Sequence, residues 1–181
     1  MRRLRRSFFA RASTTVAPEL LNKLLVTTQS VGRIVETEAY MADDPASHAY
    51  RGQTRRNATM FGRAGVLYVY FTYGMHHCAN IVTGSVGDGQ AVLLRAITPI
   101  AGLEDLRARR PGHPDRSLAD GPGKLCQAFG LDLRHDGLDL CDRASPVWIG
   151  EDDVPPPDAP RVGRRIGISV GVEALWRWRV P

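Results

Sequence analysis

The chain has 181 residues, 43% of them hydrophobic and 24% charged, with a formal net charge of +5. That length fits one domain and buries a core without disulfide or metal staples, and no apolar run approaches the roughly 20 residues of a membrane-spanning helix, so no membrane partner is expected. The cysteines, Cys78, Cys126 and Cys141, are odd in number and widely spaced, with no CxxC and no HxH; neither a disulfide framework nor a zinc site is supported, no metal or cofactor is expected, and a reducing intracellular compartment is the default.

The first residues, MRRLRRSFFARAS, are basic, but the apolar patch that follows is too short for a signal peptide. Residues 1–7 read as a basic lead-in whose order the sequence leaves open, and 1–181 as a single domain. Thr15–Val26 (TVAPELLNKLLV) reads as a short amphipathic helix, with Thr15 as candidate cap and Leu20, Leu21, Leu24 and Leu25 facing a core. Val31–Tyr40, Val66–Tyr73, Met75–Thr83 and Ala91–Ile97 read as strands. Thr72-Tyr73-Gly74 supplies a tight turn, so the second and third of these form a hairpin. Helices are expected over Pro99–Arg110 and Gly123–Phe129, the latter opened by Pro122. Glu151–Pro160 is a Pro-rich acidic loop, and Arg165–Val170 a candidate closing strand. Strands and helices without regular alternation predict one α+β domain around a mainly antiparallel sheet with peripheral helices.

The charge is unevenly spread. Only Lys23 and Lys124 are lysines; the other 22 of the 24 basic residues are arginines. Met1–Arg11 holds five arginines and no acid, Arg51–Arg63 four and no acid, and Arg161–Arg179 five against Glu173 alone. Such stretches fit either a solvated surface or a footprint on phosphate.

Alternation along Val31–Tyr40 puts Ile34, Glu36, Glu38 and Tyr40 on one face. Two carboxylates and a phenol together mark either a solvent face or a site. The next strand adds Tyr68 and Tyr70 on one face and Tyr73 at its turn, so four of the five tyrosines gather here. They are either a core edge or a stacking surface for planar rings. The third strand puts His76, Cys78 and Asn80 on one face; His77 points the other way, so the two histidines do not share a metal. Arg95, within the apolar AVLLRAI, needs an anion when buried; Glu38, Glu36 or a phosphate can supply it.

Arg33-Ile-Val-Glu-Thr-Glu-Ala-Tyr40, His48, Arg56-Asn57, Met60-Phe61, Gly65-Val-Leu-Tyr-Val-Tyr-Phe-Thr-Tyr-Gly-Met75, Cys78-Ala-Asn80, Ala91-Val-Leu-Leu-Arg95 and Gly121-Pro-Gly-Lys-Leu-Cys-Gln127 follow in that order. In order and spacing they resemble the alkyladenine (3-methyladenine) DNA glycosylase family, from about Phe8 to Val180. The resemblance implies a monofunctional glycosylase of base excision repair, built around a curved antiparallel sheet and acting on alkylated or deaminated purines in double-stranded DNA. It implies Glu38 as general base for water attack, with Arg95 positioning carboxylate and water. It implies Tyr40 and His48 on one side of a flipped base and Tyr70 on the other, Asn80 crowding the position of the guanine amino group, and Tyr73 as the wedge. His76 stands where many relatives carry an aromatic. On charge alone, Arg55, Arg56 and Arg63 are candidate phosphate contacts. A monomer is expected, in the cytoplasm or nucleoid if the source is bacterial.

The scarcity of lysine disfavours Schiff-base chemistry, because only Lys23, Lys124 and the amino terminus carry an amine. Two other readings compete: a non-catalytic nucleic-acid-binding module, and a nucleosidase with Glu36 and Glu38 as paired acids. Residues two apart on a strand project side by side rather than flanking a bond, which weakens the second.

Overall fold

The long strand at Val31–Tyr40 organises the architecture. In the computed structural model, which describes residues 1–181, the elements run β1 (Arg2–Arg3), α1 (Arg6–Phe9), α2 (Ser13–Glu19), β2 (Leu24–Val26), β3 (Val31–Tyr40), β4 (Leu67–Thr72), β5 (His76–Thr83), β6 (Gln90–Ala101), α3 (Leu103–Arg109), α4 (Pro122–Phe129), β7 (Trp148–Glu151), β8 (Arg161–Gly163) and β9 (Arg177–Arg179). The nine strands make one antiparallel sheet in the order β1-β7-β2-β3-β6-β5-β4. β2 pairs with the first part of one edge of β3, and β9, itself paired with β8, with Glu36–Glu38 further along. This is the α+β class that the element order predicts.

Strand β3 matches its expected bounds, and β4 and β5 form the expected hairpin. Other expectations need correction. The helix predicted over Thr15–Val26 stops at Glu19. Pro18 lacks the N–H that would continue it, and Asn22 turns into the left-handed region at φ 65°, which Asn tolerates. Leu24–Val26 then joins the sheet between β3 and β7. Arg165–Val170 is not a strand; Gly167 at φ 79° interrupts it, and the closing strands are β8 and β9 on either side. The helix expected from Pro99 begins at Leu103, because β6 continues to Ala101 and Gly102 turns the chain at φ 73°. The basic lead-in is ordered: β1 pairs with β7, and Arg2 Nε donates to Glu151 at 2.8 Å.

One face of the sheet is the core. Val16, Ala17 and Leu20 of the α2 region and Leu125, Ala128 and Phe129 of α4 pack on Ile34, Ala39, Leu67, Val69, Ala79, Ile81, Val92, Leu94 and Ile97. On the other face Tyr68, Met60, Ala49, Val82 and Ala91 form a smaller buried cluster, with Tyr40 and Tyr70 at its edge.

Two irregularities decide which β3 side chains face which way. The pairing passes from Ile34–Ile97 to Glu36–Ala96, leaving Val35 extra, and then to Thr37–Leu94, leaving Arg95 extra. Each extra residue reverses the alternation. Ile34 therefore lies in the core with Thr37 and Ala39, not with Glu36, Glu38 and Tyr40 as simple alternation predicts. The bulge at Arg95 turns that guanidinium towards the two glutamates.

Gly32 sets how closely α4 approaches β3. A Cβ there would collide with the Ile97 side chain and stand 2.6 Å from the Phe129 ring. Gly32→Ala is expected to destabilise the protein by about 1–3 kcal/mol, since overpacking a filled core costs that much. Chemical denaturation checks it; an unchanged midpoint would show that the contact relaxes freely.

Candidate active site

The non-core face carries a cavity of about 320 Å³, near the lower end of the roughly 300–1,000 Å³ usual for small-molecule sites. Tyr40, Tyr68, Tyr70, Cys78, Asn80 and Arg95 come from the strands, Met60 and His48 from the β3–β4 connection, Pro122 from α4, and Ile166-Gly167-Ile168 from the segment before β9. Tyr73 of the hairpin also reaches it.

Glu38 is buried completely behind this wall. Its Oε1 accepts the Ile166 N–H at 2.9 Å and faces Arg95 Nη1 at 3.2 Å. Its Oε2 accepts the Tyr40 hydroxyl at 2.9 Å. All three donors line the cavity, so the carboxylate lies one layer behind its surface. Glu36 is held differently, by Arg177 Nη1 at 2.8 Å and Arg95 Nε at 3.6 Å. Arg95 thus finds its anion in the two glutamates rather than in a phosphate. No group of three or more His, Cys, Asp or Glu is arranged to hold a metal ion.

The aromatic wall is tightly drawn. Tyr68 and Tyr70 stand 5.6 Å apart, and His48 meets Tyr70 edge-on at 4.4 Å. A flat ring inserted between two others needs roughly 7 Å, twice the optimal carbon separation. The rings of His48 and Tyr70 are in direct contact and leave no room for a flat ring between them. Burial raises the phenol pKa values of Tyr40 and Tyr70 far above the ordinary range; the Glu38 charge adds to the first and Cys78 to the second. Tyr68 rises to about 12, mainly by burial and then by Asp136. All three stay neutral hydrogen-bonding phenols at physiological pH.

His48 Nδ1 lies 3.0 Å from the Tyr68 hydroxyl, on a loop that Asn57 organises. The buried Asn57 amide donates to the carbonyls of His48 at 2.8 Å and Gly52 at 3.1 Å, and its oxygen accepts the Thr54 N–H at 2.6 Å. Asn80 is buried in the wall and donates to the Tyr68 carbonyl at 3.1 Å. Tyr73 is 81% exposed at the hairpin tip. Its φ of 51°, followed by Gly74 at 68°, is a left-handed conformation costly for a residue with a Cβ. Arg55 and Arg63 are exposed, and Arg56 donates to the Phe71 carbonyl at 2.9 Å, close to the turn of the hairpin.

Sequence reading missed four contributors. Arg177 holds Glu36, the Ile166 backbone holds Glu38, and Arg165 with Asp44 packs behind Tyr40. The only signal for the three from the C-terminal segment was the basic stretch Arg161–Arg179, which reads as surface charge because the pairing acids lie more than a hundred residues away. The same holds at the other end for Arg2 and Arg6, which pair with Glu151 and Asp139, whereas Arg11 pairs with Glu19 nearby.

A cavity this narrow and ring-lined suits one flat ring detached from its neighbours, as in enzymes that work on an extruded base. A family model described as methylpurine-DNA glycosylase (MPG) matches residues 7–181, nearly the whole chain. The chain is 53% identical over 181 residues to a protein of Burkholderia lata provisionally named a 3-methyladenine DNA glycosylase, covering 98% of this chain and 87% of that one. It is 44% identical over 179 residues to one of the same name from Carboxydothermus hydrogenoformans (97% and 93% covered), and 48% over 178 residues to another from Methanoculleus marisnigri (95% and 92%). The chain belongs to the methylpurine-DNA glycosylase family, among the DNA glycosylases of base excision repair.

The His48 pKa is lowered from the ordinary imidazole value, first by burial against the tyrosines and second by the Arg56 charge, so the ring is neutral at pH 7. Removing the cation makes protonation easier. Arg56→Ala should therefore raise the His48 midpoint part of the way towards about 6.5, followed through its ring-proton NMR signal against pH. A midpoint that stays or falls would refute the electrostatic account.

Proposed function

We propose that the protein extrudes an alkylated or deaminated purine from duplex DNA and hydrolyses its N-glycosidic bond with water activated by Glu38, leaving an abasic site. The observation that carries this reading is the Glu38 carboxylate, held at the back of a ring-lined cavity with an acceptor position on Oε2 unfilled. An ionised carboxylate has about four lone-pair positions, two on each oxygen. The Ile166 N–H takes one on Oε1 and the Tyr40 hydroxyl one on Oε2, while the Arg95 guanidinium faces Oε1 as an ion pair at 3.2 Å. The other position on Oε2 accepts the proton of the attacking water as the bond to C1′ of the sugar breaks. The same charge stabilises the cationic sugar that forms, and Arg95 holds the carboxylate in place. Glu36, hydrogen-bonded by Arg177 rather than by residues of the cavity wall, is the poorer base. Because Glu38 has no exposed surface, the Ile166–Ile168 wall yields when sugar and water approach.

Tyr40, His48 and Tyr70 receive the base once His48 has moved. A cationic alkylpurine over such faces gains roughly 0.5–2 kcal/mol, which favours damaged bases over neutral ones. Asn80, fixed to Tyr68, crowds the amino group of guanine. The substrates are the 3-methyladenine, 7-methylguanine, hypoxanthine and ethenoadenine class. Tyr73 fills the gap in the duplex, offsetting part of the few kcal/mol of unstacking. Arg55, Arg56 and Arg63 meet phosphates beside it. Lys23 is engaged by Glu151 at 3.1 Å and Lys124 by Asp120 at 2.8 Å, and neither lines the cavity, which fits water rather than an amine as nucleophile and no strand-nicking activity. The exposed Tyr73 favours a duplex over the free nucleosides of a nucleosidase. Two hydrogen bonds and an ion pair converging on Glu38 disfavour a non-catalytic binding module. A monomer working on DNA inside the cell goes with this reading.

The test is a duplex with one hypoxanthine or ethenoadenine. The protein should leave an abasic site, seen as cleavage only after hot alkali. Glu38→Gln should bind the lesion and lose at least about a hundredfold in single-turnover rate, the scale of a positioned general base. Tyr73→Ala should weaken lesion binding more than binding to undamaged duplex, and binding should fall with salt. Full activity in Glu38→Gln with loss in Glu36→Gln would move the base to Glu36; binding without excision across all lesions would favour the non-catalytic module.

A further inference from the structure

Arg165 stands behind the site, neither lining the cavity nor hydrogen-bonding Glu38. The Arg165 guanidinium has no exposed surface. It forms a two-pronged pair with Asp44, its Nη1 donating also to the Ala39 carbonyl at 3.1 Å and its Nη2 to the Gly171 carbonyl at 3.2 Å. It lies over the Tyr40 ring at 4.6 Å and within 5.2 Å of the Trp176 ring. A buried guanidinium of this kind is costly to place and is kept by the number of groups it joins.

What it joins is the site. One face of Tyr40 is covered by Arg165, so only the other can receive a base. The Tyr40 hydroxyl donates to Glu38 Oε2, so the angle of the ring sets that hydrogen bond. The next residue, Ile166, gives its N–H to Glu38 Oε1. Asp44 accepts the Ala46 N–H at 3.0 Å, and its carbonyl takes the Ser47 N–H at 2.9 Å, shaping the turn that leads to His48. We propose that Arg165, clamped by Asp44, is a positioning residue for the glycosylase reaction: it holds the plane of Tyr40 and so, through the Tyr40 hydroxyl, sets the rotamer of Glu38.

This rests on the glycosylase reading, so the test separates the two. Single-turnover excision of hypoxanthine from a duplex is measured for wild type, Arg165→Lys, Tyr40→Phe and the double variant, with the ¹³C-tyrosine NMR spectrum recorded for each. Lysine cannot make the two-pronged pair or stack as a plane. Tyr40→Phe keeps the ring, removes the hydroxyl and identifies the Tyr40 signal by its loss. Arg165→Lys should slow excision about tenfold or more alone, but no more than about twofold in Tyr40→Phe, because the path through the hydroxyl is already cut. An arginine that only supports the fold would cost the same factor in both backgrounds, and that result overturns the proposal. Asp44→Asn, which keeps the shape and removes the charge, should give the same pattern and carries the comparison if Arg165→Lys does not fold. The Tyr40 ring signal should shift in both variants; an unmoved signal also overturns the clamp. A wild type that excises no damaged purine would sink the glycosylase reading, and the Tyr40 signal would then decide the clamp alone.

Discussion

A carboxylate with no exposed surface must find its partners inside the fold, and Glu38 finds them on three different pieces of chain. The Tyr40 hydroxyl comes from its own strand and the Ile166 N–H from the segment before β9, both as hydrogen bonds, and Arg95 comes from the bulge of β6 as an ion pair. A buried charge left unpaired costs several kcal/mol, so the carboxylate depends on all three pieces. The wall of the cavity and the burial of the carboxylate are therefore one arrangement. Whatever shifts β6, or lifts the C-terminal segment from β3, shifts the donors of Glu38.

The alternation of charge around β3 extends this constraint outward. Arg177 meets Glu36, Arg95 lies between Glu36 and Glu38, and Arg165 meets Asp44 behind Tyr40. Each cation sits in low dielectric beside an acid, where a hydrogen-bonded pair is strong and an unpaired member is costly. The unpaired positive surface is consequently smaller than the arginine content suggests. Arg55 and Arg63 belong to it, on the β3–β4 connection that precedes the hairpin whose exposed Tyr73 has a strained conformation. On the same connection the His48 ring packs edge-on against Tyr70.

Much of this was legible in the chain. Alternating apolar and polar residues fixed β3, β4 and β5, and Tyr73-Gly74 fixed the turn, because strands and tight turns are decided by neighbouring residues. The motif resemblance selected Glu38, Tyr40, His48, Tyr70, Asn80 and Arg95, and the structure brings all six to one place, with Glu38 behind the wall that the other five help to form. Two departures come from strand pairing. Simple alternation puts Ile34 on the face of Glu36 and Glu38, but a bulge, which arises only when two strands pair, turns it to the core. The second half of the first helix became β2 because the sheet had an open edge there, and pairing outweighed a leucine pattern that suits either state.

The sequence by itself determined the class of fold, the strand that carries the acid and the rings that gather around it, since these follow from periodicity and from residue types in short order. Only the tertiary structure decided which arginines are surface charge and which are internal partners, that Glu38 rather than Glu36 is hydrogen-bonded by the cavity wall, and that Arg165 stands behind Tyr40. The physical reason is distance along the chain. An ion pair between residues more than a hundred positions apart leaves no local pattern, and the sign of a charge does not reveal whether it faces water or a carboxylate.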